Sequence, residues 1–496
     1  MQLAYEQQTT GDSIVSAAKS SPDAERIAQT VLLAVLLAVP TLMCLHTAVV
    51  GDADIWWHLR TGEWILAHHA VPRVDPYSAQ LAGTRWLPYS WLYELLVVKL
   101  FLRLGLVGLV VYSSTMILAI TTALYHMLRR LQSDFSLTVV LTFVGLLGIG
   151  HLYTPRPWMF TILLFILEMD VLMQVRRTGR VRELLWLPVI FALWPNVHIE
   201  FIYGLLVLGL AFAESVVARW RCAAEARVGP AWMGAALAAS SLATLANPFG
   251  WRIYGVIYDL TTQSAPFSLV SELQAIPFRG IVDFSILVFA LTSAAALAWQ
   301  RRFQLFETGV LVLAAILSFR AERDEWSMAV VGAMILASNL RLNRKPAQHL
   351  PWFATALAVL VAALVVPIGL RAMHIDNPRL QTKLTINLPA QAVETIRARG
   401  YTGPLYNDFS WGGYLIWTLR MPVSIDGRTN LYGDERLNRS VATWNGHSDW
   451  GDDAQLKSAR LVIGPVQSPL TQILRLEPRF QLVYEDKLAA VFVARR

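Results

Sequence analysis

Two aspartates, Asp52 and Asp54, follow the first long apolar segment of the chain. A carboxylate at such a boundary can serve as a general base or as an oxygen ligand for a divalent cation such as Mg²⁺ or Mn²⁺. Either aspartate can also cap the following helix, because an Asp at a helix N-terminus accepts hydrogen bonds from backbone N–H groups. The residue types therefore indicate catalysis, metal binding or a helix cap, and the sequence leaves all three open.

Three more polar residues, His58, Arg60 and Glu63, follow within the same segment. A guanidinium matches the geometry of a phosphate, so Arg60 is a candidate for binding a lipid phosphate, with His58 and Glu63 beside it. Residues 55–67 have helical spacing, with Trp and Leu side chains on one face, which predicts a helix lying on the membrane surface. The alternative is that the three residues form the ordinary polar face of that helix.

Other candidates lie between later apolar segments. Arg156 stands between two prolines, which restrict the backbone, so its side chain is a candidate for binding a phosphate of a lipid carrier. It can also simply reach the lipid headgroups. His198 and Glu200 lie at the junction of two predicted helices, where an ionisable group is often functional if it lies at membrane depth. At the membrane interface an ionisable group is not costly, so it need not be functional there. Whether His198 and Glu200 belong to a site or are ordinary polar residues stays open.

The C-terminal part of the chain offers one more pair, Asp426 and Arg428, after a predicted strand at 423–425. Ligands often bind at strand ends of α/β domains, although the pair can also form an ion pair that shapes a turn. The sequence contains no Gly-rich nucleotide loop and no zinc-ligand spacing. The sequence therefore offers no visible site for a soluble nucleotide.

The amino-acid composition indicates the kind of structure that positions these residues. Of the 496 residues, 55% are hydrophobic and only 16% are charged, against roughly 25% charged in ordinary globular proteins. The apolar residues form blocks of about the length that a membrane-spanning helix requires. The net charge of +7 arises from Arg and Lys residues between these blocks, which is typical of cytoplasmic loops, so no nucleic-acid partner is predicted.

Basic clusters mark the loops that we expect in the cytoplasm. They are Arg129 with Arg130; Arg176, Arg177, Arg180 and Arg182; Arg219 with Arg221; Arg301 with Arg302; and Arg341, Arg344 and Lys345. Two crossings fit between successive clusters, which gives about eleven helices with the N-terminus inside and the C-terminus outside. The predicted spans are 27–50, 105–128, 136–153, 157–175, 184–198, 200–218, 231–248, 281–299, 304–320, 326–340 and 350–371.

The sequence thus predicts a mainly α, polytopic helix bundle in the cytoplasmic membrane, with a small extracytoplasmic α/β domain at the C-terminus. We expect a cytoplasmic segment at 1–26, a transmembrane domain at 27–371 with its first outer loop at 51–90, and the α/β domain at 372–496. Every loop with unusual polar residues falls on the same outer side. One active site built from several loops requires that arrangement.

The segment DADIWWHLRTGE (52–63), followed by VPRVDPYS (71–78), resembles a group of bacterial multi-pass membrane proteins similar to the GT-C glycosyltransferase superfamily. That superfamily includes enzymes that use dolichyl- or polyprenyl-phosphate sugars. The resemblance spans nearly the whole chain; further matching segments are WPNVH (194–198), NPFGW (247–251), WGGY (411–414) and IDGR (425–428). The segment RAERDEW (320–326) departs from the pattern, so the resemblance assigns no role to Arg320 or Arg323.

The resemblance implies a GT-C type of helix bundle with a catalytic Asp or Glu in the first outer loop, at Asp52 or Asp54 here. It also implies inverting transfer of a sugar from a polyprenyl-phosphate donor to a glycan, lipid or protein acceptor outside the membrane. A transporter or flippase for a lipid-linked or anionic solute is an alternative, as is a non-catalytic assembly factor that keeps the scaffold. The sequence shows no internal repeat, and its polar residues gather at helix ends, which favours the enzyme.

Overall fold

The computed structural model describes residues 22–221, 227–300, 303–341 and 350–495. Most of the predicted N-terminal segment and the basic residues Arg301, Arg302, Arg344 and Lys345 lie outside the described residues. The described chain forms a bundle of helices followed by a smaller region that contains a β-sheet. The predicted architecture, a mainly α polytopic bundle with a C-terminal α/β region, is therefore confirmed.

Fifteen helices make up the described bundle. They are α1 Pro22–Thr47, α2 Ile55–His68, α3 Trp91–Leu104, α4 Leu106–Leu131, α5 Phe135–Leu147, α6 Trp158–Thr178, α7 Trp186–Val197, α8 Phe201–Trp220, α9 Pro230–Ala243, α10 Ile253–Thr262, α11 Ala265–Leu269, α12 Ile281–Trp299, α13 Leu305–Arg320, α14 Glu325–Asn339 and α15 Trp352–Ala372. A helix lies on each of the predicted membrane spans. The other helices, α2, α3, α10 and α11, belong to the loops between spans.

The long helices have the length and the exposed apolar surfaces that contact with lipid requires. Six of them, α1, α4, α6, α8, α12 and α15, are long and apolar enough to cross a membrane. Large apolar side chains such as Leu206, Leu291 and Leu357 lie exposed on their surfaces. In water such a surface would be unfavourable, whereas in lipid it costs nothing because the surroundings are equally apolar. The protein is therefore a polytopic membrane protein.

One end of the bundle gathers the basic residues that were predicted to face the cytoplasm. Arg130 at the end of α4 pairs with Asp170 of α6 at 2.6 Å. Arg176 of α6 pairs with Glu214 of α8 at 2.8 Å and with Glu307 of α13 at 2.6 Å. These ion pairs join four helices at the same end. The unusual polar loops consequently lie at the opposite end, which we call the cavity end.

The C-terminal region, residues 373–495, combines six helices with one sheet. The helices are α16 Asn377–Leu384, α17 Ala390–Ala398, α18 Gly412–Leu419, α19 Thr429–Trp444, α20 Ala454–Ser458 and α21 Pro469–Leu476; the strands are β1 Leu405–Asn407, β2 Leu461–Pro465, β3 Phe480–Glu485 and β4 Ala489–Ala494. The strand order is β1-β2-β4-β3, with β1 parallel to β2 and the other pairs antiparallel. Asp486 fixes the turn between β3 and β4 by accepting from the backbone N–H groups of Leu488 and Ala489.

The prediction of a strand at 423–425 is wrong, because these residues do not belong to this sheet. Val423 instead pairs with the first outer loop, where it forms an isolated bridge with Ser78. Its N–H donates to the carbonyl of Tyr77 at 2.9 Å, and its carbonyl accepts from the N–H of Ala79 at 2.9 Å. The backbone of Val423 thus forms hydrogen bonds to the first outer loop rather than within the C-terminal region. This pairing fixes the C-terminal region onto the cavity end.

Candidate functional site

A cavity of about 350 Å³ lies at the cavity end, between the bundle and the C-terminal region. Its walls come from six parts of the chain. They are residues 53–58 and 86–94 of the first outer loop and the start of α3, residues 156–158, residues 198–199, residues 260–273, Arg323, and residues 409–410 and 427–430 of the C-terminal region. The prediction that separate polar loops converge on one place is therefore confirmed.

An aspartate–arginine cluster, made of Asp52, Asp54 and Arg156, lies at the cavity. Arg156 donates from Nε to Oδ2 of Asp52 at 2.6 Å and from Nη1 to Oδ2 of Asp54. The backbone N–H of Asp54 donates to Oδ1 of Asp52 at 2.9 Å. Glu272 lies farther out, with its carboxylate 3.8 Å from Nη2 of Arg156. One guanidinium thus fixes two carboxylates, and a third lies within electrostatic reach.

The helix-cap alternative does not hold for Asp54. Asp54 directly precedes α2, but its side chain makes no hydrogen bond to the start of that helix. The carboxylate turns to Arg156 instead, because a charge-assisted bond to a guanidinium is stronger than a bond to a neutral N–H. Asp54 is therefore available to the cavity.

The loop that carries Arg156 is held by two tyrosines. The hydroxyl of Tyr93 in α3 donates to the carbonyl of Pro155, and that of Tyr112 in α4 donates to the carbonyl of Arg156 at 3.0 Å. The guanidinium also lies over the ring of Trp158, 4.9 Å from its centroid. These contacts, which the sequence did not predict, define the position of Arg156 before any ligand binds.

The surroundings of Asp54 tune its acidity. Burial raises its pKa most strongly, the nearby Arg156 lowers it, and the charges of Asp52 and Glu272 raise it again. The result is a pKa of about 6, compared with 3.8 for an ordinary aspartate. A carboxylate with this pKa is mostly ionised at neutral pH and is a stronger base than an ordinary aspartate.

The C-terminal region closes against the same loop through the WGGY segment. A Cβ on Gly413 would lie 2.5 Å from the carbonyl oxygen of Ala53, a distance that no side chain tolerates. The residue between the two aspartates therefore packs directly on the backbone of α18. This contact explains why glycine stands there.

Two histidine–glutamate pairs line or border the cavity. His58 lies with Nδ1 3.1 Å from Oε1 of Glu94, and both residues are buried. His198 lies with Nδ1 3.3 Å from Oε2 of Glu200 and 2.8 Å from the hydroxyl of Thr161. Two histidine rings that can donate hydrogen bonds, those of His58 and His198, therefore stand on two walls of the cavity.

Glu200 is also linked to Arg323. Nη2 of Arg323 lies 3.5 Å from Oε1 of Glu200, so this ion pair is longer than those of Arg156 with Asp52 and Asp54. Burial tends to raise the pKa of Glu200, but His198 and Arg323 outweigh it and lower the pKa below its ordinary value. Arg323 lines the cavity. Its guanidinium is held by a longer ion pair than the pairs of Arg156 with Asp52 and Asp54.

The predicted pair Asp426 and Arg428 forms part of a buried interface. Arg428 donates to both carboxylate oxygens of Asp426 at 2.8 and 2.7 Å. It also donates to Asp75 at 2.6 Å and to the hydroxyl of Ser78 at 3.2 Å. The predicted ion pair between Asp426 and Arg428 is present, but it is not isolated, and a ligand-binding role of the pair stays a prediction. The pair joins the C-terminal region to the first outer loop, while Arg428 also borders the cavity.

Arg60 and Glu63 are the predicted site residues that the structure places elsewhere. They pair with each other at 2.5 Å, and Glu63 also pairs with Arg420 of the C-terminal region. Three positions along a helix bring two side chains to the same face, and this face is turned away from the cavity lining. Arg60 and Glu63 thus lie outside the cavity lining and link α2 to the C-terminal region, and their binding of substrate stays a prediction.

Three charged residues of the cavity lining were not assigned a role from the sequence: Glu94, Glu272 and Arg323. Glu94 has a recognisable signal, since it is the single acidic residue within an apolar helix, α3. Glu272 lies in a single turn of 3-10 helix, Ser271–Leu273, which is too short for a periodicity to place it. Arg323 was left without a role because its segment departs from the pattern of the resembled superfamily.

The carboxylates are of the right type for Mg²⁺ or Mn²⁺, which bind oxygen ligands. Among the described residues, however, no three His, Cys, Asp or Glu side chains gather as a metal site. Asp52 and Asp54 bind the guanidinium of Arg156 instead. The arrangement does not fit a metal centre, and the divalent cation stays a prediction.

No protein-family model matches the chain, and no curated protein matches it either. Among solved structures, the chain is similar to the crystal structure of the Archaeoglobus fulgidus oligosaccharyltransferase in complex with Zn and sulfate. The two are 12% identical, the match covers 87% of this chain and 68% of the other, and the TM-score is 0.45.

Proposed function

We propose that this protein transfers a sugar from a polyprenyl-phosphate donor to an acceptor hydroxyl at the outer face of the cytoplasmic membrane. The observation that carries the proposal is Asp54, a carboxylate of raised pKa held at a cavity between membrane helices and a C-terminal region. The motif resemblance of the first outer loop agrees with it. Glycan, lipid and protein acceptors all offer the hydroxyl or amide that such a reaction needs.

In the proposed reaction, the acceptor oxygen forms a bond to the anomeric carbon of the sugar. The proton of the acceptor passes to the carboxylate of Asp54, and the bond from the anomeric carbon to the phosphate oxygen breaks. The electron pair of that bond leaves with the phosphate. The acceptor attacks the face of the anomeric carbon opposite the phosphate, so the configuration at the sugar inverts. Asp52 acts as a positioning residue, because it binds the N–H of Asp54 and the guanidinium of Arg156 at once.

The leaving phosphate gains negative charge, which nearby cations stabilise. Arg323 is the best placed group for this role, since its pairing with Glu200 is loose. Arg156 is largely satisfied by Asp52 and Asp54, and its Nη2 faces Glu272 at 3.8 Å. We therefore assign phosphate binding to Arg323 first and the fixing of the base to Arg156.

The direct test supplies the purified protein, in lipid nanodiscs, with labelled polyprenyl-phosphate sugars and candidate acceptors. Asp54→Asn should lower transfer by roughly 10²- to 10⁴-fold, the usual contribution of a general base. Asp259→Asn is the matched control, because Asp259 is exposed on α10 outside the cavity lining. Transfer by a folded Asp54→Asn variant at the wild-type rate would exclude Asp54 as the base.

A transporter is the second candidate, and one residue favours it. Glu168 lies in the middle of α6, fully buried, and neither carboxylate oxygen has a hydrogen-bond partner in the described part of the chain. This carboxyl is an exception to the expectation that polar residues gather at helix ends. An ionisable group at that depth is often part of a transport path. Glu168→Gln should leave sugar transfer intact if the protein is the enzyme, and should stop solute movement if it is a transporter.

A further inference from the structure

Helices α2 and α3 approach each other unusually closely, and this approach creates the His58–Glu94 pair. A Cβ on Gly62 would lie 2.3 Å from the backbone oxygen of Glu94 and 2.8 Å from Val98. Only glycine allows the two helices to pack at this distance. His58 lies one turn before Gly62 on α2, so the same approach brings its ring to the side chain of Glu94.

The ring of His58 is fixed by its neighbours. It packs on Trp57, with centroids 3.6 Å apart, and meets the edge of Tyr93 at 5.0 Å. Nδ1 faces Glu94, and among the described residues Nε2 has no hydrogen-bond partner. Because His58 lines the cavity, Nε2 is the nitrogen left for a ligand.

The chemistry of Glu94 selects the tautomer of His58. Burial raises the pKa of Glu94 well above its ordinary value, and its second oxygen, Oε2, has no partner in the described part of the chain. A buried carboxyl in this situation keeps its proton, since an unpaired charge would be costly there. The protonated carboxyl donates to Nδ1, and the proton of the neutral imidazole then resides on Nε2.

We propose that Glu94 is a positioning residue that holds His58 in the Nε2–H tautomer, so that Nε2 donates a hydrogen bond to the phosphate of the lipid-linked donor. The proposal rests on the proposed function and adds a neutral donor to the cations of the cavity. In the transfer step this bond strengthens as the phosphate oxygen gains the electron pair from the breaking bond. No proton needs to move through His58.

Replacing His58 by residues with a side-chain amide tests which ring nitrogen donates the hydrogen bond to the phosphate. The amide nitrogen of Gln can occupy the place of Nε2, whereas that of Asn reaches only the place of Nδ1. With undecaprenyl monophosphate in nanodiscs as the probe, His58→Gln should bind nearly as well as the wild type. His58→Asn should bind roughly tenfold more weakly or worse, the usual effect of losing a hydrogen bond to a charged group. Equal binding by the two variants, or better binding by His58→Asn, would overturn the proposal.

Glu94 is tested by the pair Glu94→Gln and Glu94→Leu, with Lys99→Gln on the exposed face of α3 as the matched control. The amide of Gln can still donate to Nδ1, so this variant should retain probe binding, while Leu should lose it. A Leu variant that binds the probe as well as the wild type contradicts a positioning role. If the Leu variant does not fold, the comparison of Glu94→Gln with His58→Gln and His58→Asn decides.

A measurement without ligand separates this proposal from the proposed function. Nitrogen-15 spectra of histidine-labelled protein in bilayers report the tautomer of His58, assigned by comparison with His58→Gln. The Nε2–H form in the wild type and in Glu94→Gln supports the proposal, and an Nδ1–H form overturns it. If the wild type shows the expected tautomer and binds the probe but transfers no sugar, the proposed function alone fails. If it transfers sugar and His58→Asn does so equally well, the role of His58 alone fails.

Discussion

Gly427 and Asp54 approach so closely that a Cβ on the glycine would lie 1.8 Å from Oδ1 of the aspartate. The two residues are far apart in the sequence, and the contact exists because Arg428, next in the chain, is bound to Asp75 of the first outer loop. The C-terminal region therefore forms the wall against which the proposed base rests. Its position and the position of Asp54 depend on each other.

Gly427→Ala should displace the carboxylate of Asp54 from Arg156, since the short aspartate side chain cannot move far without losing that bond. We expect sugar transfer to fall by about tenfold or more, because misplacing a reacting group by roughly 1 Å can be that costly. Gly255→Ala on α10 is the control, as a Cβ there meets nothing within 4 Å. Similar activity for both alanine variants, measured on folded protein, would show that the contact does not matter for Asp54.

Transfer should depend on pH through Asp54, whose pKa is about 6. The base works only when ionised, so activity should fall as the pH drops below about 6. The charges of Asp52 and Glu272 raise this pKa, and Glu272→Gln or Asp52→Asn should therefore move the acid limb to lower pH. The pH profile of kcat/KM is the measurement. A limb that moves upward in both variants would assign it to another group.

The same shift has a consequence for stability. Because the pKa of Asp54 is higher in the folded protein than the ordinary 3.8, the folded state holds the proton more tightly than the unfolded chain between that value and about 6. The contribution of Asp54 to the free energy of unfolding therefore decreases as the pH rises through this window.

Arg428→Met should detach the C-terminal region. The substitution leaves Asp75 and Asp426 buried without their cation, which typically costs about 3–5 kcal/mol. Arg439→Met removes a surface ion pair with Asp449 and should cost less than about 1 kcal/mol. Thermal unfolding and limited proteolysis around residues 373–380 measure the difference. Equal effects of the two substitutions would mean that the interface is held by other contacts.

Local patterns predicted the elements of this fold well. Hydropathy and basic clusters placed a helix on each predicted span. The spacing of Arg60 and Glu63 on one face of a helix is compatible with the ion pair that they form. It could not indicate that this face meets Arg420, because nothing local encodes a contact across such a sequence separation.

The candidate site was predictable only in part, for the same reason. Asp54, Arg156 and His198 could be found because each has an unusual residue type at the end of an apolar segment. Glu272 could not be placed because it lies in a single 3-10 turn without periodicity. Val423 could not be placed because its backbone pairs with the first outer loop rather than with a strand of the sheet. Long-range packing decides both positions, and it also decides that the side chain of Asp54 meets Arg156 instead of capping α2.

The orientation of the bundle remains a prediction that labelling can test. In a background without Cys44 and Cys222, we expect a cysteine at Asp259, at the cavity end, to react with a membrane-impermeant thiol reagent added to intact cells. A cysteine at Arg180, at the basic end of the bundle, should react only after the membrane is opened. The reverse pattern would place the cavity in the cytoplasm and exclude a donor presented at the outer face.

Arg323 provides the sharpest test of how the phosphate is bound. If its guanidinium binds the donor phosphate, Arg323→Gln should raise the KM for the lipid-linked sugar and lower kcat/KM by roughly 10- to 100-fold, the effect of losing a charge-assisted bond. Arg323→Lys keeps the charge but not the planar fork, so it should recover only part of the loss. Glu200→Gln frees Arg323 from its ion pair and should lower the KM rather than raise it. A raised KM in Glu200→Gln, with Arg323→Gln unchanged, would transfer the binding role from the arginine to the glutamate.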